Sequence, residues 1–169
     1  RVAYLIKMKE DFVLYKELIA LSFIIYILCL FQVVTFQDNV SWSTNNFIPF
    51  KEIFRYNMGS RLFFKNVIGN MLMFMPYGLF ISFYLKNNKP TLTIILTLIA
   101  SFSIEVVQMV IGRVFDIDDI ILNLLGGYLG FLVYYWLCKL WEKIPSILKS
   151  ELVLNIVSII ILMCVIVLL

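Results

Sequence analysis

Thr91-Leu92-Thr93-Ile94-Ile95-Leu96-Thr97-Leu98-Ile99-Ala100-Ser101-Phe102-Ser103-Ile104-Glu105-Val106-Val107-Gln108-Met109-Val110-Ile111 is an apolar run in which Glu105 is the sole charged side chain. Wound as an α-helix at about 1.5 Å per residue, it covers the roughly 30 Å of a bilayer's hydrocarbon core. Four more runs of similar character lie at about 18–36, 66–85, 119–138 and 151–169. The chain is 62% hydrophobic and 15% charged. A soluble domain holds about 45–50% apolar residues, so the solvent that suits this chain is lipid. The sequence therefore predicts a single-domain, all-α membrane protein over residues 1–169, a bundle of about five transmembrane helices.

Composition removes several chemistries. The chain has no histidine, which excludes serine–histidine pairs and histidine-ligated zinc within it. Cys29, Cys138 and Cys164 all lie in apolar runs without metal-ligand spacing and read as small hydrophobes. No metal or cofactor is expected from these patterns. The net charge of +3 is spread over loops, so nucleic acid is not an expected partner, whereas membrane lipids are.

The first run follows Lys7, Lys9 and Lys16 but is longer than the apolar part of a signal peptide, and no small-x-small site follows it. It reads as a retained anchor. One set of connections carries Arg1, Lys7, Lys9, Lys16, Lys86, Lys89, Lys139, Lys143 and Lys149; the other carries Lys51, Arg55, Arg61, Lys65 and Arg113. The positive-inside rule then puts the N-terminus in the cytoplasm and the C-terminus outside. Residues 37–65 and 112–118 face outward in that topology. Lys86-Asn87-Asn88-Lys89-Pro90 reads as a tight hairpin with Pro90 opening the next helix.

Polar residues gather under that outer face. At about 1.5 Å per residue, Asn70 and Asn123 lie about 6 Å deep, Gln108 about 4 Å and Glu105 about 9 Å. Asn66 and Asn70, Glu105 and Gln108, and Asp119 and Asn123 are spaced three or four apart, so each pair occupies one helical stripe. Arg113, Asp116 and Asp118 sit above them in a short loop. An acid within a membrane helix costs about 2.5–3.5 kcal/mol at its centre, so Glu105 needs a partner, and Arg113 is the nearest base in sequence. Plainer roles compete: Asp118 or Asp119 as a helix cap, Asn70 and Asn123 as interhelical hydrogen bonds, Arg113 paired with Asp116. Pro49 to Tyr56 places Phe50, Ile53 and Phe54 on one face and predicts an amphipathic helix in the extracellular interface. Gly126 and Gly130 form a G-x-x-x-G packing pattern, and Asn39-Val40-Ser41 matches a glycosylation acceptor.

The ordered motifs over about residues 45–140 resemble the VanZ-like family of bacterial membrane proteins. They are Asn46-Phe47-Ile48-Pro49-Phe50, Asn66 to Asn70 leading into Phe74-Met75-Pro76-Tyr77-Gly78, Glu105-Val106-Val107-Gln108, Gly112 to Asp119, and Asn123 to Gly130. The additional run at 151–169 fits short stand-alone members. The resemblance implies a multi-pass protein of the cytoplasmic membrane of Gram-positive bacteria that confers resistance to glycopeptide antibiotics, teicoplanin more than vancomycin. It supplies no mechanism.

Three functions compete on the residues themselves. In the first, a non-enzymatic envelope factor binds a lipid headgroup, a lipid-linked cell-wall precursor or the glycopeptide through Asn70, Glu105, Gln108, Arg113, Asp116, Asp119 and Asn123, with Lys51 or Arg55 helping Arg113 hold a phosphate. The second is a proton-coupled carrier of a lipid-linked phosphate using Glu105, for which a homodimer would supply the missing internal symmetry. The third is an enzyme with Glu105, Asp116 or Asp119 as catalytic candidates, in which Asp116, Asp118 and Asp119 hold a divalent cation. The first is the expected function, and it requires no catalysis.

Overall fold

The computed structural model describes residues 12–36 and 45–167, so the acceptor pattern at 39–41 and the basic residues Arg1, Lys7 and Lys9 lie outside the described residues. In chain order the helices are α1 (Leu14–Phe36), α2 (Lys51–Arg55), α3 (Arg61–Leu85), α4 (Pro90–Val110), α5 (Ile117–Lys143) and α6 (Glu151–Val167), with a 3-10 turn at Ser146–Lys149. The protein is an all-α membrane protein: α1, α3, α4 and α5 are each long and apolar enough to cross a bilayer. The run expected as a fifth span is α6, which has 17 described residues and is shorter than those four. Among the described residues the sole strand-like pairing is an isolated parallel bridge between Asn46 and Asp116.

Helix boundaries run past the apolar windows. Helix α3 begins at Arg61 rather than near 66, and α5 continues to Lys143 rather than 138. Hydropathy marks the hydrocarbon core, whereas a helix continues into the headgroup layer wherever long side chains keep their polar ends in water. The far end of α5 has this composition, with the Lys139 ammonium 4.5 Å from the Tyr135 ring centroid and 5.7 Å from that of Trp136.

The chain divides into two compact units. One is Leu30–Glu142, and the other combines Arg1–Cys29 with Lys143–Leu169. Within Leu30–Glu142, α3, α4 and α5 meet where side chains are smallest. A Cβ on Gly126 would strike the carbonyl oxygen of Met71, and one on Gly130 the carbonyl of Met75, so the G-x-x-x-G face of α5 lies directly on the backbone of α3. Gly78 of α3 faces the Gly127 backbone in return, and Gly127 faces Thr97 of α4.

Helix α4 turns one polar stripe inward. Thr93, Thr97, Ser101, Glu105 and Gln108 are its buried residues, spaced four, four, four and three apart. Hydrocarbon offers no hydrogen-bond partners, so each group must find one inside the protein. Ser82 and Thr93 hydroxyls pair at 2.9 Å, Ser82 also donates to the Gly78 carbonyl at 2.7 Å, and Thr97 donates to the Thr93 carbonyl at 2.8 Å. The hairpin forms as expected: Lys86 closes α3 in the left-handed region and Pro90 occupies the first turn of α4.

Helix α3 starts irregularly. The Ser60 hydroxyl oxygen caps it by accepting the Phe63 N–H at 3.1 Å, and Phe64–Ile68 then winds as a π-helix, with the Gly69 N–H bonded to the Phe64 carbonyl. A π-turn widens the helix locally and is frequent at functional sites.

The close glycine crossing predicts a selective sensitivity. Gly78→Ala must push α3 and α5 apart, an overpacking cost of about 1–3 kcal/mol. Purified in detergent, it should unfold at a lower temperature than wild type. Gly69→Ala, whose Cβ would meet only ordinary contact at 3.7 Å, should match wild type. Equal melting of the two variants would mean that the close crossing does not govern stability.

Candidate functional site

A cavity of about 620 Å³ opens among the N-terminal part of α3, the C-terminal end of α4, the start of α5 and the segment carrying α2. Its walls take Asn66 and Asn70 from α3, Glu105 and Gln108 from α4, Asp119 and Asn123 from α5, and Arg113 and Asp116 from the loop between α4 and α5. Asn70, Glu105, Gln108, Arg113, Asp116, Asp119 and Asn123, the expected binding set, therefore reach one chamber. The stripes meet where Asn70 of α3 bonds to Asp119 of α5 and where Asn123 of α5 bonds to Ser101 of α4.

The chamber is closed on one side by residues 45–56, tied down by two acids of the Gly112–Asp119 motif. Asn46 exchanges backbone hydrogen bonds with Phe115 (2.8 Å) and Ile117 (3.0 Å), and its side-chain amide donates to Asp116 Oδ1 at 2.8 Å. Asp118 is 1% exposed. Its Oδ1 accepts from the Phe50 N–H, and its Oδ2 accepts from Glu52 (2.7 Å) and Ile53 (3.2 Å). Asp118 thus caps α2, not its own helix. The cap of α5 comes from Asp116, whose Oδ1 accepts the Asp118 N–H at 2.9 Å. Phe50 has φ 65°, a left-handed conformation that is costly for a bulky residue, and the Asp118 grip holds it there.

Glu105 is 1% exposed and has partners for both carboxylate oxygens. Oε2 accepts the Asp116 N–H at 2.9 Å. The Gln108 amide satisfies both its neighbours in one orientation, with Nε2 donating to Glu105 Oε1 at 2.9 Å and Oε1 accepting from Arg113 Nη1 at 3.1 Å. Arg113 therefore reaches Glu105 through an amide relay. Asn70 donates to Asp119 Oδ1, and Asn123 donates to the Ser101 hydroxyl at 2.9 Å, leaving its buried Oδ1 without a partner among the described residues. Outside the helices, burial pushes the Asp116 carboxyl above its ordinary range, opposed by its hydrogen bonds from the Asp118 backbone and the Asn46 amide.

The cations differ in part from those expected. Arg55 lines the cavity and pairs with Glu52 at 3.1 Å, but Lys51 is not among the lining residues. Lys65, read from sequence only as a loop charge, does line it. It lies in the π-turn beside Asn66, and its neighbourhood to that stripe is the one trace of this role in the sequence. The expected apolar face of α2 is divided: Ile53 faces the cavity, whereas Phe50 and Phe54 are exposed with ring centroids 6.2 Å apart. Ser101 was also missed, although it lies four residues before Glu105 on the same stripe. Among the described residues no three His, Cys, Asp or Glu side chains are grouped to hold a metal ion, because Asp118 is turned onto the α2 backbone.

Comparison with known proteins places this architecture. The profile of the VanZ/LLP1 family matches residues 23–139, beginning within α1, upstream of the motifs that start near residue 45. The chain is 33% identical over 73 residues to Protein VanZ of Enterococcus faecium, a match spanning 42% of this chain and 45% of that protein. No solved structure matches.

The cap predicts a local effect of mutation. Asp118→Ala leaves three backbone N–H groups without their charged acceptor, at about 1.5–3 kcal/mol for each such hydrogen bond that is not replaced by water. Amide hydrogen exchange across residues 45–56 should accelerate by about tenfold or more, while exchange in α4 stays slow. Unchanged protection of 45–56 would show that Asp118 does not hold the segment.

Proposed function

We propose, for a chain that belongs to the VanZ/LLP1 family, that it is an envelope factor whose polar cavity binds the phosphate-bearing headgroup of a lipid or lipid-linked cell-wall intermediate. The observation that carries the reading is the cavity itself, about 620 Å³ and bordered by the basic residues Arg55, Lys65 and Arg113. A guanidinium and an ammonium offer charge-assisted donors to phosphate oxygens, and a site next to hydrocarbon makes those bonds stronger than in water. By occupying such a target the protein reduces glycopeptide access to the envelope, which fits the teicoplanin resistance that the family resemblance implies.

In this reading the N-terminus is cytoplasmic and the cavity faces outward. Lys86 and Lys89 in the hairpin, and Lys139 and Lys143 at the end of α5, lie at the helix ends opposite the cavity and favour a cytoplasmic position by the positive-inside rule. Phe50 and Phe54, exposed beside the cavity, then sit in the outer headgroup layer.

A second reading, a proton-coupled carrier of the same phosphate, draws on one observation. Below Glu105, the buried hydroxyls of Ser101, Thr97 and Thr93 continue along the same face of α4 toward its other end. Such a stripe also serves close helix packing, so binding without transport is the reading favoured here.

Expression in a Gram-positive host should raise its tolerance of teicoplanin. Arg113→Ala and Glu105→Gln should return it to the host's own level at equal membrane abundance. Full protection by both variants would separate the phenotype from the cavity, and no protection by wild type would count against the resistance role.

A further inference from the structure

Four of the five carboxylates bordering the cavity are already committed. Glu52 pairs with Arg55, Glu105 takes the Asp116 N–H and the Gln108 amide, Asp116 takes Asn46 and the Asp118 N–H, and Asp118 takes three backbone N–H groups. Asp119 is different. It is half-buried, and its hydrogen-bond partner among the described residues is a single neutral amide, Asn70. The Arg113 charge lies near it, but its Oδ2 has no hydrogen-bond donor among the described residues, an incomplete shell for a carboxylate drawn away from water.

One turn further along the same stripe of α5 is Asn123, 5% exposed, with its Oδ1 buried and unpartnered among the described residues. Two neighbouring acceptor atoms, Asp119 Oδ2 and Asn123 Oδ1, thus lack a hydrogen-bond donor among the described residues. A primary ammonium carries three donors and a positive charge, which is what this pair is missing. On α3, Lys65 presents the opposite character: an exposed ammonium lining the same cavity, with no hydrogen bond or ion pair among the described residues.

We propose that the cavity is built for a zwitterionic phosphate ester of the phosphoethanolamine class, its phosphate toward Lys65 and Arg113 and its primary ammonium on Asp119 and Asn123. This rests on the reading of the cavity as a phosphate-headgroup site and adds to it the chemical class of the headgroup. The selection has a physical basis. A choline headgroup carries the charge without N–H donors, and a glycerol headgroup carries hydroxyl donors without the charge. An N-acetylated ethanolamine loses the cation altogether.

The test is lipid retention by the full chain, purified in detergent and offered equal amounts of phosphatidylethanolamine, its N-acetyl derivative and phosphatidylglycerol, with bound lipid counted by native mass spectrometry. Wild type should retain phosphatidylethanolamine over the other two by about tenfold, the scale of one hydrogen bond to a charged group. Asp119→Asn should abolish that preference while still retaining lipid, and Asp119→Glu, which keeps the charge, should preserve it. Lys65→Ala should lower retention of all three alike. Displacement by soluble O-phosphoethanolamine would assign the site to the free ester, and resistance to it would assign the site to the lipid; both support the zwitterion. Equal retention of the three lipids by wild type, or an undiminished preference in a folded Asp119→Asn variant, would overturn the proposal and leave the phosphate reading standing. Retention of none would overturn both.

Discussion

The carboxylate of Asp118 is the tie on which the cavity depends. Helices α3 and α5 meet at their glycines, with Thr97 of α4 against Gly127, and the cavity among the ends of these three helices needs something to close its side. Residues 45–56 do so, yet α2 is only five residues long, too short to be stable by itself. Three of its N-terminal backbone donors end on one buried side chain, so the segment takes its shape from α5. The Asn46 bridge repeats the arrangement a few residues earlier, with backbone and side chain both bonded to the stretch Phe115–Ile117. Two motifs far apart in the chain are thus the two halves of one joint.

Around that joint the polar groups follow the rule that lipid imposes. Hydroxyls on α4 bond back to their own helix or across to Ser82 and Asn123, and Glu105 is satisfied by a main-chain amide and by Gln108. The Gln108 amide relays Arg113 to Glu105.

Much of this was legible in the sequence for one reason: hydrocarbon makes polar residues conspicuous. Glu105, Asn70 and Asn123 stand out in apolar runs, and the depth argument correctly brought them together. The helix starts were less legible, because hydropathy falls off at the headgroup layer while the α3 helix does not. The role of Asp118 was illegible in principle. Its partners are backbone N–H groups 65 to 68 residues away, and a main-chain donor leaves no mark in residue identity. Thr93, Thr97 and Ser101 form a four-residue repeat that hydropathy leaves unmarked, since a hydroxyl scores near neutral. Lys65 was counted among loop charges because nothing in composition announces a π-turn.

That π-turn gives α3 two registers. Phe64–Ile68 takes up about one residue more than an α-turn would, so the helix above it is rotated relative to a continuous α-helix running up from the Gly78 crossing. Residues at the mouth and residues at the crossing are therefore not bound to one angular sequence. A single-residue deletion within 64–68 can be absorbed by tightening the wide turn, which swings the upper segment around the axis and presents a different side chain in place of Lys65. The crossing below keeps its own phase. The side chain presented at position 65 is thus set by the length of the wide turn, separately from the glycine contact below it.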